Sequence, residues 1–93
     1  MPDIHLPEAL IELQRRVFAA RLALAEHVRA NGPVRDWSQE TLAEGALLQQ
    51  ELERLEGELR QATEESGLIR EHGGRTTRLA LIAAASQSPR DPC

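Results

Sequence analysis

Three histidines, one cysteine and eleven arginines are the side chains of this chain best suited to chemistry, and their spacing rules out most of it. His5, His27 and His72 stand far apart, and none has a second ligand three or four residues away on the same helical turn, as a helix-borne metal centre needs. Cys93 is the single cysteine, so no disulfide can form within the chain. Gly73-Gly74-Arg75-Thr76-Thr77 has the flavour of a phosphate loop but lacks the spaced glycines, the lysine and a preceding buried strand. Glu64 and Glu65 are neighbours that point in different directions on a helix, so they cannot share a substrate as acid and base. No nucleophile, base and orienting group fall into a workable order. No enzyme activity, metal or cofactor is expected.

The arginines remain, and they stand without a single lysine. Codon bias of a GC-rich genome accounts for that more cheaply than selection for forked phosphate contacts. The formal net charge of −4 does not mark a nucleic-acid binder, but its distribution is uneven. Residues 36–69 hold nine acidic side chains against Arg54 and Arg60. Residues 70–93 hold Arg70, Arg75, Arg78 and Arg90 against Glu71 and Asp91. An acidic helix followed by a basic arm is a scaffold-like layout. For any one arginine, the plain expectation is a solvated helix surface.

The elements that position these groups follow from apolar spacing. Leu48, Leu52, Leu55, Leu59 and Ala62 alternate steps of four and three, the rhythm of a coiled-coil seam that needs a partner. Leu6, Leu10, Leu13, Val17, Ala20 and Leu24 supply a matching stripe upstream, with Ile11, Phe18, Leu22 and Ala25 widening it into a second contact face. The first helix is expected from Pro7 to Ala30, after a short leader at 1–6. Asn31-Gly32-Pro33 stops it. Asp36 or Ser38 then caps a second helix running to Ser66, and Gly67 ends it. Glu56 should pair with Arg60 and Glu51 with Arg54 along this helix. Gly45 falls on the seam, where close approach would explain it, and Trp37 should pack over the hairpin end.

Beyond Gly67 the pattern changes. Leu68-Ile69-Arg70-Glu71 and Thr76-Thr77-Arg78 read as extended segments around a turn at His72-Gly73-Gly74-Arg75. Leu79 to Ala85 reads as a short apolar helix, and Ser86 to Cys93, with Pro89 and Pro92, as a frayed tail. The expected fold is all-α: an antiparallel, coiled-coil-like helical hairpin over 1–67, then a small β-turn excursion and short C-terminal helix over 68–93. Phe18 and Trp37 are the only aromatic residues besides the histidines, so Leu, Ile, Val and Ala must do the packing. That suits helix-on-helix contact, and in so small a chain it favours self-association. No secretory pattern or membrane-length apolar run is present, which with the lone cysteine leads to the expectation of a cytoplasmic protein with no membrane partner.

The run Leu47-Leu48-Gln49-Gln50-Glu51-Leu52-Glu53-Arg54-Leu55-Glu56-Gly57-Glu58-Leu59, then Glu65-Ser66-Gly67-Leu68-Ile69, leads through Arg70-Glu71-His72-Gly73-Gly74-Arg75-Thr76-Thr77-Arg78 into Leu79-Ala80-Leu81-Ile82-Ala83-Ala84. This order, over residues 40–85, resembles the core and C-terminal region of phage terminase small subunits, of the short kind found in actinobacterial phages or gene transfer agents. One feature departs from that pattern: Leu79 stands where a proline usually opens the last helix.

The resemblance implies a homo-oligomeric ring in a bacterial host's cytoplasm that recognises double-stranded DNA and delivers it to the large terminase subunit. It makes Arg15, Arg16, Arg21, Arg29 and Arg35 candidates for DNA contact, and Arg70, Arg75 and Arg78 candidates for docking the large subunit or DNA. Ile11, Phe18, Leu22, Leu48, Leu52, Leu55 and Leu59 become the candidate oligomer interface. The alternative is a small helical-hairpin adaptor or inhibitor that binds one protein partner through its apolar stripe.

Overall fold

The computed structural model describes residues 4–86, and over them the chain is all-α, with two long helices packed against each other and two short ones folded back on them. Helix α1 spans Glu8–Asn31, α2 Gln39–Ser66, α3 Leu68–His72 and α4 Gly74–Ser86, with a 3-10 turn at Val34–Asp36. Pro7 sits just outside α1, in extended backbone, and its carbonyl accepts from the Leu10 and Ile11 amides at 3.0 and 3.2 Å. Gly32, at φ +72°, stops α1 where a side chain would be strained. Of the two candidate caps, Ser38 takes the role: its Oγ accepts from the Thr41 amide at 3.1 Å, while Asp36 lies in the 3-10 turn. Gly67, at φ +83°, ends α2 as its position suggested.

The seam finds its partner inside the chain. Val17, Leu52 and Leu55 form one buried cluster, flanked by Leu13, Ala20, Leu24 and Leu59. The turn end of the hairpin is locked by polar and aromatic contacts instead. His27 Nε2 donates to the Thr41 carbonyl at 3.0 Å, tying α1 to α2, and the Trp37 ring meets His27 edge-on at a centroid distance of 5.1 Å. Trp37 Nε1 donates to the Gly32 carbonyl at 2.9 Å, so the ring does cover the hairpin end.

The expected β excursion is not there: among the described residues there is no strand, and Leu68–His72 and Gly74–Ser86 are both helical. The two Gly residues explain the difference. Gly67 and Gly73, both at positive φ, each turn the chain sharply, so α3 and α4 can fold back on the hairpin. Leu68 and Leu81 are thereby buried against Leu10 in a second cluster, covered by Ile4, Leu6, Ile11, Leu59 and Ala62. Thr77, read as extended from its β-branched neighbours, is fully buried; its Oγ1 donates to the Leu68 carbonyl at 3.2 Å. Tertiary burial overrides local strand preference here, and α4 starts at Gly74 rather than Leu79. The expected frayed tail lies outside the described residues except for Ser86, and so does the leader at 1–3. No helix among the described residues is long and apolar enough to cross a membrane.

The two mid-helix glycines of α2 should respond to alanine with opposite signs. A Cβ on Gly57 meets nothing within 4 Å, so Gly57→Ala should stabilise by about 1 kcal/mol through helix propensity alone. A Cβ on Gly45 would sit 3.0 Å from the Trp37 ring and 3.4 Å from His27. With Trp37 held by its bond to Gly32, Gly45→Ala should cost about 1 kcal/mol. Urea unfolding of the two variants measures both.

Candidate functional site

The five arginines marked for DNA contact do not form one patch. Arg15 and Arg16 both reach toward Glu12, at 3.7 Å each, and the Arg15 Nε is buried with no hydrogen-bond partner among the described residues. Arg21 Nη2 crosses the hairpin to Glu56 Oε2 at 3.0 Å. Arg29, in the last turn of α1, and Arg35, in the 3-10 turn, are exposed at the turn end and pair with no acid among the described residues. The candidate oligomer interface is divided as well. Leu52 and Leu55 are used up inside the hairpin, because the seam partner is α1 rather than another chain. Ile11, Phe18, Leu48 and Leu59 are half-buried, and Leu22 remains 57 % exposed.

Arginines do converge at the other end of the molecule. Arg21 of α1, Arg60 of α2, and Arg75 and Arg78 of α4 line an open groove of about 990 Å³, with Glu56 its one acid. Gln14 and Thr63 also line it, and Ile69, Leu79 and Ile82 give it apolar walls while staying exposed themselves. Arg70, on α3, lies outside this lining. Gln14 is only 5 % exposed and makes no hydrogen bond among the described residues. Thr63 is also buried, but its Oγ1 donates to the Leu59 carbonyl at 2.6 Å.

Sequence spacing does not mark Arg60 and Arg21 as groove residues, because Glu56 is one helical turn from Arg60 and reads as its partner. Glu56 turns instead to Arg21, leaving Arg60 without an acid among the described residues. Arg21 and Glu56 each directly follow a seam residue, Ala20 and Leu55, and residues flanking a seam pair across it. The other expected pair forms as read: Arg54 holds Glu51 at 2.7 Å and also bonds Glu58. The Arg54 hydrogen bond keeps the Glu51 carboxyl below its usual range, and Glu51 in turn raises Arg54. No group of three His, Cys, Asp or Glu among the described residues could hold a metal ion. No protein-family model, curated protein or solved structure matches the chain.

Two measurements follow from this geometry. Gln14→Met keeps the side-chain shape and removes an amide that bonds no protein group among the described residues and keeps its small solvent contact at the groove, so stability should hold within about 1 kcal/mol; a larger loss would mean that the amide is held by an interaction within the fold. Glu51 has a depressed folded pKa, so its pairing adds stability above the unfolded carboxylate pKa and loses it as pH falls through the lowered value. Both partners are exposed, so Arg54→Ala should lower stability only slightly at neutral pH, should converge with wild type as acid protonates Glu51, and high salt should erase the difference.

Proposed function

We propose that the chain is an assembling, DNA-recognising subunit of the small-terminase type, a regulatory component of a genome-packaging motor rather than an enzyme. Its double-stranded DNA would be gripped at the turn end, and its large-subunit partner would dock elsewhere. The observation that carries this reading is the pair Arg29 and Arg35, both exposed at the turn end and in no salt bridge among the described residues, though Asp36 adjoins Arg35. A guanidinium in that setting is free to fork onto phosphate oxygens. Exposed Leu22 and Val28 on α1 support the assembly half of the reading, since side-by-side hairpins would cover them. Repeating two arginines around an assembly would multiply a weak, sequence-independent contact into useful affinity.

The groove between α1, α2 and α4 favours a second reading, a helical adaptor or inhibitor that receives one protein partner. Its α3–α4 unit folds onto the hairpin instead of standing apart, as a docking platform would. The two readings differ in stoichiometry, a closed ring against a one-to-one complex, and native mass spectrometry separates them.

Fluorescence anisotropy with a duplex fragment, titrated across salt, tests the nucleic-acid half. Wild-type binding should weaken steeply with salt. Arg29→Ala with Arg35→Ala should flatten the log–log slope by about 0.9 for each phosphate that a subunit no longer neutralises, and should weaken all sequences alike. Wild-type protein that ignores duplex DNA even at low salt would sink this reading.

A further inference from the structure

The groove and a ridge on the far half of α2 are complementary, yet one chain cannot bring them together. The groove presents exposed Ile69, Leu79 and Ile82 beside Arg60, Arg75 and Arg78, three arginines with no acid partner among the described residues. The ridge centres on Leu47, which at 65 % is the most exposed of the large apolar side chains described. Glu40 and Glu44 stand seven and three residues before it and share its face of the helix, while Glu51, four residues after, is already held by Arg54. Glu40 and Glu44 have no basic partner among the described residues.

We propose that the Leu47 ridge of one copy of this chain docks into the arginine-rimmed groove of a second copy. Leu47 enters the apolar part, between Leu79 and Ile82, and the carboxylates of Glu40 and Glu44 meet Arg60, Arg75 and Arg78. The Gln14 amide, which bonds no protein group among the described residues and lies on the groove lining, offers its NH₂ to an incoming carboxylate. Leu47 and Arg60 are thirteen residues apart on one continuous helix, about 20 Å along its axis, so a ridge cannot reach its own groove. The contact joins two different patches. It must be reciprocated across a twofold pair or repeated head to tail around a ring. The apolar core supplies affinity, and the charges fix partner and register. The proposal rests on the self-assembly half of the reading above and is independent of its nucleic-acid half.

Charge reversal on both sides tests it, read by native mass spectrometry, with circular dichroism to certify folding. Wild type should be multimeric, with the multimer weakening as salt rises. Arg75→Glu with Arg78→Glu should yield folded monomer, as should Glu40→Arg with Glu44→Arg. Leu47→Asp, at an exposed position that leaves the fold undisturbed, should do the same. Combining all four reversals in one chain, or mixing the two double variants in equal amounts, should bring the multimer back. Recovery by a swap cannot come from damage to the fold. A monomeric wild type overturns the proposal, as does a multimer indifferent to Arg75→Glu with Arg78→Glu, or a folded fourfold variant that stays monomeric. Wild type that assembles and responds to the reversals as expected, but fails to bind duplex DNA, keeps this interface and removes the DNA reading alone.

Discussion

Val17 packed against Leu52 and Leu55 is the contact on which the rest of the molecule depends. Neither long helix is stabilised by aromatic bulk, and α2 carries two interior glycines, so each needs its apolar stripe covered to persist in water. Once that seam closes, the ends of the hairpin become neighbouring surfaces. At one end His27, Thr41 and Trp37 lock the turn; at the other, Leu10 and Ala62 form a platform on which Leu68 and Leu81 can settle. The α3–α4 unit is thus conditional on the hairpin: α3 is five residues long and has no helical stability of its own.

The conditional part is also where sequence reading fails. The long helices are legible because a stripe repeated over several turns, a serine cap and a left-handed glycine each act within a few residues of where they are read. Ser38, Gly32 and Gly67 do in the structure what their types favour. Residues 68–78 have no such repeat. Two glycines and a Thr-Thr pair suggest a hairpin of strands locally, and only the distant Leu10 surface makes helix the better solution. Thr77 settles it, since its hydroxyl is satisfied by the Leu68 carbonyl nine residues back, a bond that neither residue announces.

The groove is hidden for a related reason. Its arginines come from three helices, so no window of sequence contains them, and the one short-range cue misdirects the reading. An i,i+4 glutamate–arginine pair at an exposed site contributes only about 0.3–0.5 kcal/mol. A competing partner across the seam therefore needs little advantage to win, and Arg21 wins Glu56. That exchange leaves Arg60 unneutralised on the groove, next to Arg75 and Arg78. By contrast the Glu51–Arg54–Glu58 cluster, closed within one helix, is as local as its spacing suggests.

What the single chain leaves uncovered bears on why it should associate at all. Among the described residues, six large apolar side chains are buried: Leu10, Val17, Leu52, Leu55, Leu68 and Leu81. Eight of the described ones are exposed, among them Leu22, Leu47, Leu79 and Ile82. Scattered exposed leucines are ordinary on any protein, so the count alone decides little. Their placement matters more, because the exposed residues of α4 adjoin arginines and Leu47 adjoins glutamates. An apolar patch ringed by one sign of charge resists indiscriminate sticking, since a like-charged or uncharged surface gains little from covering it. It accepts a patch ringed by the other sign. The charge asymmetry that looked like a solvated helix and a basic arm becomes, in three dimensions, mostly arginines around the exposed residues of the groove and the unpaired Glu40 and Glu44 beside Leu47, so the proposed contact would use both the apolar centres and the charges around them.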